Sequence, residues 1–290
     1  MPVKTMMPIL RRVLIIAGNE PHAKEVVGGL CGAKVLAGAD FETCAGGVEA
    51  VKRLRQRAID VVVTDPATPF REDLALVAEL STTRPGLKMI LLAPTAAPAD
   101  VIAAIRAKVF ACFSAPFDWR EIGDMIASAF AAEDWSDAIQ VVSGMPNWIT
   151  LRVTCRLLTA ERLVRFMSEH RSDIPGDERD RLMAAFREML LNAMEHGAGF
   201  DPEKVVEVSA AQTSRAIVYH FRDPGDGFDR ADLAQVLQST SPEEHLAEAQ
   251  RRAEQGLRPG GFGMLIAKQI VDELVYNEPG NEVLLIKYTQ

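Results

Sequence analysis

Five short strand-like runs alternate with amphipathic stretches over the first half of the chain, and this alternation constrains the fold more than any other feature. Strands that alternate with helices form a parallel sheet that helices cover on both faces. The first half is therefore predicted to be a doubly wound α/β domain, whose functional residues lie at the carboxyl ends of its strands. The runs lie at residues 13–16, 42–44, 61–63, 89–92 and 110–113, and the helical spacings at 21–36, 48–57, 71–83, 98–108 and 118–133.

The third run leads directly into Asp65, and Pro69 follows it. Together with Ala115-Pro116-Phe117-Asp118 after the fifth run, these residues resemble the receiver domain of response regulators over the whole first half. The resemblance makes Asp65 the equivalent of the phosphoacceptor aspartate in that family.

The other catalytic positions of the receiver family are replaced. Ala17-Gly18 stands where the family has the acidic pair that holds magnesium, Ala93 where it has a hydroxyl residue, and Ala115 where it has a lysine. Phosphoryl transfer to a carboxylate needs a cation and fixed donors. We therefore interpret this domain as a degenerate receiver, in which Asp65 is inactive and the surface serves protein docking.

Residues 134–150 contain two tryptophans together with Gly144 and Pro146, which punctuate the chain. We predict a packed interdomain segment here. The predicted domains are a receiver-like domain at 1–133, an interdomain segment at 134–148 and an ATP-binding domain at 149–290.

The second half predicts an α+β sandwich of one sheet and several helices. One helix is expected at 159–170 and a longer one at 177–196, where Gly197 would end it. Strands are expected at 149–153, 205–209, 216–221 and 283–288.

Glu188, Asn192 and His196 follow one another at intervals of four residues on the longer helix, which places them on one face. An amide oxygen such as that of Asn192 suits Mg²⁺, which takes few protein ligands and several waters. A carboxylate one turn earlier could orient a metal-bound water or accept a hydroxyl proton. A solvated polar face is the alternative interpretation of the same pattern.

Two glycine-containing segments follow. Asp223, Gly225 and Gly227 come directly after a strand, where a carboxylate can accept a hydrogen bond from an adenine amino group and glycines let the backbone approach a flat base. Gly260, Gly261 and Gly263 open a helical stretch at 264–274, where free backbone N–H groups can bind phosphate. Each segment alone is also compatible with an ordinary turn.

In this order and spacing the three motifs resemble the N, G1 and G2 boxes of the GHKL ATPase superfamily, over about residues 149–290. The resemblance implies ATP and Mg²⁺ as cofactors, with Asn192 on magnesium and Asp223 on the adenine. It implies that Gly225, Gly227, Gly261 and Gly263 shape the nucleotide pocket. It also makes residues 228–259 an ATP lid, which is expected to be partly helical at 242–255.

The order of strand, helix and N-box helix resembles the anti-sigma-factor serine kinases, in which Glu188 would be the general base. We therefore predict a serine/threonine protein kinase whose partner is a signalling protein similar to an anti-sigma antagonist or a sigma factor. Two alternatives remain: a nucleotide-dependent module that sequesters its partner, and a histidine-kinase-like protein. His170 is interpreted as a surface residue, because its surroundings do not match an acceptor motif.

Charge and hydropathy restrict the partners. A net charge of −8 argues against nucleic acid and against an anionic membrane surface. No run reaches the roughly 18 apolar residues of a membrane span, and residues 13–17 are too short for a signal peptide. Four scattered cysteines favour reduced thiols and a cytoplasmic location. A homodimer stays open.

Overall fold

The computed structural model describes residues 11–133, 135, 138–171, 173–227 and 263–289. The chain divides into two compact units, Met1–Ser136 and Asp137–Gln290. The predicted lid at 228–259 and its helix at 242–255 lie outside the described residues, as does Gly261.

The first unit is a five-stranded parallel sheet in the order β2-β1-β3-β4-β5. The predicted doubly wound α/β fold is confirmed, and this strand order is the one that flavodoxin and receiver domains share. The order reverses between β1 and β3, so the crevice at their carboxyl ends is where function is expected. The elements are β1 (Arg12–Ile16), α1 (Glu20–Gly32), a 3₁₀ turn (Lys34–Leu36), β2 (Asp40–Cys44), α2 (Gly47–Gln56), β3 (Val61–Val63), α3 (Phe70–Thr83), β4 (Lys88–Ala93), α4 (Pro98–Arg106), β5 (Ala111–Ser114) and α5 (Trp119–Ala131).

Helix α1 begins and ends through local hydrogen bonds. The side chain of Asn19 accepts the backbone N–H of His22 and caps the first turn, with Pro21 at a position where no donor is needed. The helix ends at Gly32, earlier than the predicted residue 36, because the N–H of Ala33 turns back to Leu30 O and the chain tightens into a 3₁₀ turn.

The second unit is a six-stranded antiparallel sheet in the order β10-β11-β9-β8-β7-β6, with α7 packed against α6, α8 and β9. This confirms the α+β sandwich. Its core includes Phe186 of α7, whose ring lies 5.0 Å from those of Tyr219 and Phe221 on β9. The elements are β6 (Ile139–Met145), β7 (Trp148–Thr154), α6 (Leu157–His170), α7 (Gly176–Asn192), a π-helix (Ala193–Gly197), β8 (Val205–Gln212), β9 (Ala216–Arg222), α8 (Gly263–Ile270), β10 (Glu273–Tyr276) and β11 (Glu282–Tyr288).

Two parts of this unit differ from the sequence-based expectation. Ile139–Met145, within the segment assigned to the junction, pairs with β7 as the edge strand β6. The helical stretch expected at 264–274 ends at Ile270, and Glu273–Tyr276 pairs with β11 instead. In both cases hydrogen bonds to a neighbouring strand override a weak local preference.

Candidate functional site

Asp223 directly follows β9, and two hydrogen bonds to the backbone hold it in place. Its own N–H bonds to the carbonyl of Asn281 at 3.0 Å, and its Oδ1 accepts the N–H of Gly225 at 2.8 Å. Burial raises the pKa of this carboxyl above its ordinary value, and the Gly225 hydrogen bond and the charge of His196 partly offset that effect. A carboxylate has about four acceptor sites, so Asp223 keeps capacity for a ligand donor.

Glycines surround Asp223 so closely that no side chain would fit. A Cβ on Gly197 would lie 2.1 Å from the Cγ of Asp223, and one on Gly225 would lie 2.8 Å from the carbonyl oxygen of Gly197. Gly227 has φ +83°, and a Cβ there would lie 1.9 Å from the carbonyl oxygen of Pro279. This close backbone packing forms a narrow cradle beside the carboxylate.

The turn between β10 and β11 braces this cradle, and sequence analysis missed it. The Nδ2 of Asn281 donates to the carbonyl of Gly225 at 3.1 Å. The turn itself is held by Asn277, whose Oδ1 accepts the N–H groups of Gly280 and Glu282 at 2.9 and 3.0 Å. The Asn, Pro and Gly residues at 277–281 are a recognisable turn signal, but its partner loop lies far away along the chain.

Glu188 lies against the first residue of α8. A Cβ on Gly263 would be 2.2 Å from the Oε2 of Glu188, so the base predicted on α7 and the glycine that begins the G2 helix are in direct contact. Arg187 Nη1 lies 3.6 Å from the other oxygen of Glu188. The same guanidinium donates to Glu161 of α6 through Nε at 3.2 Å and Nη2 at 2.6 Å.

The helix that carries the N box changes its geometry at Asn192. Asn192 is half-buried and ends α7, and residues 193–197 continue as a π-helix. The expectation of one α-helical face through His196 is therefore wrong, because i→i+5 hydrogen bonding shifts the phase of the later residues. The shift leaves His196 exposed and puts Gly197 against Asp223. Single π turns occur frequently at functional sites.

The residues present fit a nucleotide. Glu188 and Asn192 lie on α7, and Glu188 contacts the start of α8. The π-helix that continues α7 brings Gly197 against Asp223. The glycines let the backbone pack closely around Asp223, and a helix N-terminus favours phosphate. Within the described parts of the chain, no cluster of three or more His, Cys, Asp or Glu residues could hold a metal. Magnesium would then rest on few protein ligands, such as Asn192, with phosphate and water supplying the rest.

Asp65 of the first unit lies in the crevice between β1 and β3, and it is only 6% exposed. Its carboxylate accepts the N–H groups of Gly18 at 2.6 Å and Ala67 at 2.8 Å, and His22 Nδ1 lies 3.0 Å from Oδ1. Burial disfavours the charged form, but Ala67, Gly18 and His22 outweigh it, so the pKa of Asp65 lies below 3.8. Two backbone N–H groups and a histidine ring therefore engage both oxygens of this carboxylate.

His170 is not the surface residue that the sequence suggested. It is 1% exposed on α6, and neither ring nitrogen has a hydrogen-bond partner among the described residues. Burial lowers its pKa to about 4, with the charge of Arg171 adding to the effect. The prediction of a surface position is wrong because most residues of α6 are buried, and the residues next to His170 in the sequence do not reveal this.

The parallel sheet of the first unit has the receiver fold, and the antiparallel sheet of the second unit with its helices fits a histidine kinase-like ATPase domain. Residues 153–287 match the family model described as "Histidine kinase-like ATPase domain". An ATPase domain implies ATP as its nucleotide.

The first half is similar to curated and solved proteins. The "Transcriptional regulatory protein GlrR" of Escherichia coli (strain K12) is 27% identical over 122 residues, which are 40% of this chain and 27% of that protein. "Transcriptional regulatory protein QseF" of Escherichia coli O157:H7 matches to the same extent. The chain thus spans about a quarter of the length of these relatives.

Solved receiver domains also resemble the first half. A signal receiver domain of an HD domain-containing protein from Pseudomonas fluorescens Pf-5 is 18% identical with a TM-score of 0.37, and the match covers 42% of this chain and 95% of that one. A response regulator from Thermotoga maritima is 17% identical with a TM-score of 0.37, covering 43% and 100%. Among the described residues, no helix has the length and apolar character needed to cross a membrane.

Proposed function

We propose that the chain transfers the γ-phosphoryl group of ATP to a serine or threonine of a partner protein, in the manner of the anti-sigma-type kinases. The observation that carries this proposal is the contact between Glu188 and Gly263. It puts a carboxylate beside the N-terminus of α8, where phosphate is favoured, so a base and a phosphate-binding helix end face the same space.

Each residue then has a distinct task. Asp223 accepts the adenine amino group, and the glycines around it let the base approach the backbone. Asn192 supplies an oxygen to Mg²⁺, and bound ATP supplies the phosphoryl group. Glu188 accepts the proton of the attacking hydroxyl. Gly225, Gly227, Gly261 and Gly263 form the pocket wall.

The burial of His170 favours serine or threonine as the acceptor over a histidine on α6. A histidine kinase that modified its own helix would need an exposed imidazole, whereas both nitrogens of His170 are buried and contact no hydrogen-bonding group in the part of the chain that the structure describes. The partner is a signalling protein of the anti-sigma antagonist or sigma factor type. We assign the protein to the cytoplasm, as a monomer or homodimer, without nucleic acid or membrane as a partner, and we assign regulation to the degenerate receiver.

Labelled ATP incubated with the full chain and candidate partners tests this function. Acid-stable phosphoserine or phosphothreonine on the partner is expected, and it should disappear with Glu188→Gln. Glu178→Gln on the exposed first turn of the same helix is the matched control and should keep activity. Acid-labile label on the partner would indicate a histidine kinase, and ATP-dependent binding without any transfer would indicate a sequestering module.

A further inference from the structure

The ring of His22 contacts the carboxylate of Asp65, whose orientation is fixed by backbone hydrogen bonds. Its Nδ1 lies 3.0 Å from Asp65 Oδ1 and 3.1 Å from Oδ2. The carboxylate is itself fixed by backbone N–H groups, from Gly18 on Oδ2 and from Ala67 on Oδ1. Asn19 also contacts His22: its Oδ1 accepts the N–H of His22 and caps α1, and its Nδ2 lies 3.2 Å from the same ring nitrogen, Nδ1.

These contacts determine where the ring carries its proton. Nδ1 lies between the amide nitrogen of Asn19 at 3.2 Å, which can only donate, and the ionised carboxylate of Asp65 at 3.0 and 3.1 Å, which can only accept. The carboxylate is nearer and charged, and a hydrogen bond to a charged group is the stronger one, so we place the hydrogen of the neutral ring on Nδ1. The neutral ring then has its lone pair on Nε2. No described residue forms a hydrogen bond with Nε2, and the side chain is 31% exposed. The partly exposed ring is therefore within reach of a reagent in solution.

A carboxylate that holds one ring N–H stabilises the positive charge that forms when the other nitrogen gains a bond. Asp65 by contrast has both oxygens engaged by backbone donors and by His22. We propose that His22, and not Asp65, is the phosphoryl acceptor of the receiver-like domain. This modification site is independent of the kinase activity proposed above.

The donor is a phosphoramidate-class compound, in which phosphorus is bonded to nitrogen. The lone pair of Nε2 forms the new N–P bond while the N–P bond of the donor breaks. The leaving nitrogen, already protonated in the donor, departs with the electron pair as a neutral amine or ammonia. The ring of His22 keeps its proton on Nδ1 and becomes positively charged, and the carboxylate of Asp65 balances that charge.

The position of His22 in the fold favours the product. His22 lies in the first turn of α1, where the helix dipole stabilises negative charge. The one acidic side chain in that turn, Glu20, is paired with Lys24 at 2.7 Å. A phosphoryl group on His22 therefore lies at the positive end of the α1 dipole, where Lys24 offsets the charge of Glu20.

Two other histidines of the chain, His220 and His196, serve as internal controls for the reactivity of His22. His220 also contacts a carboxylate, through Nε2 at 3.0 Å from Glu282, but that cross-strand pair is about one-third exposed on both sides. Its carboxylate lies 3.5 Å from Arg222 Nε and accepts no backbone N–H of the described residues. His196 is exposed at the end of the π-helix. If the rigid pairing with Asp65 matters, these two histidines should react more slowly than His22.

Phosphoramidate added to the full chain tests the proposal, with the label mapped by mass spectrometry under alkaline conditions. His22 should be labelled about tenfold faster than His196 and His220, since a hydrogen bond to a charged group stabilises the ring by at least that factor. The label should be acid-labile and stable to hydroxylamine. Asp65→Asn keeps an acceptor for Nδ1 but removes the charge, so it should slow labelling of His22 about tenfold.

Three results would overturn the proposal: a hydroxylamine-sensitive label on Asp65, equal rates at the three histidines, or an unchanged rate at His22 in Asp65→Asn. Urea-denatured wild type provides a reference that depends on no variant. There the histidines lose their surroundings, so the native-to-denatured rate ratio should be high at His22 and not at His220. A ratio at His22 no higher than at His220 would equally refute the assignment.

Discussion

Substitution of Gly197 by alanine tests whether the cradle around Asp223 shapes the nucleotide site. The added Cβ would lie 2.1 Å from both Cγ and Oδ1 of Asp223. Carbon atoms pack at about 3.5 Å or more, so the carboxylate must move by about 1.4 Å. The φ of Gly197 does not lie in the left-handed region, so the perturbation acts through contact and not through backbone strain.

The displacement sets the size of the effect. A carboxylate moved by that distance no longer accepts a well-aligned hydrogen bond from the adenine amino group. Hydrogen bonds to charged groups contribute about 1.5–3 kcal/mol, so we expect ATP affinity to fall about 10- to 100-fold. Gly176→Ala is the matched control, because its Cβ would meet nothing within 4 Å at the start of the same helical segment.

Isothermal titration calorimetry with ATP and magnesium measures this loss, and circular dichroism shows whether both variants are folded. Gly176→Ala should bind as the wild type does. Wild-type affinity in a folded Gly197→Ala would refute the assignment of Asp223 to the adenine, because the carboxylate cannot keep its place beside the new methyl group.

Four further predictions concern the nucleotide site, the receiver-like domain and the buried His170. Asp223→Asn should weaken ATP binding by about 1.5–3 kcal/mol, and unchanged affinity by calorimetry would contradict the pocket assignment. Glu188→Gln should bind Mg·ATP normally but transfer the phosphoryl group about 10²–10⁴-fold more slowly, whereas Asn192→Ala should lose both Mg·ATP binding and transfer. Measuring ATP affinity and single-turnover transfer on the same preparation separates the two effects. Full transfer activity in Glu188→Gln would exclude Glu188 as the base. Acetyl phosphate with magnesium should leave Asp65 unmodified, and an adduct in intact-mass spectra that Asp65→Asn abolishes would restore receiver chemistry. The pKa of His170 falls from 6.5 to about 4 on folding, so between these pH values the unfolded chain binds a proton that the folded chain does not. The free energy of unfolding should therefore drop by about 3 kcal/mol as pH falls from about 6.5 to 4. Urea titrations of His170→Phe should show a flatter pH dependence, and an unchanged slope would exclude His170 as its source.

The sequence predicted the elements whose periodicity is strong and local. The β3 run at Val61–Val63 is apolar throughout because both faces of a parallel sheet are covered, and α2 and α3 show amphipathic spacing that needs no tertiary information. The positions of Asp65, Asp223 and Glu188 at strand ends or on the N-box helix were also recognisable from motif order alone. The roles of the last two remain predictions.

Only the tertiary structure decided how those motifs meet. Nothing local in the sequence indicates that Gly263 lies against Glu188, or that the turn at Asn281 braces Gly225, because such contacts join segments remote along the chain. The π-helix after Asn192 differs from an α-helix by one residue in its hydrogen bonding, a change that composition does not reveal. His22 likewise reaches Asp65 only because parallel strands β1 and β3 bring their carboxyl ends together. Local periodicity thus specified the elements, while packing between distant segments determined which side chains share a site.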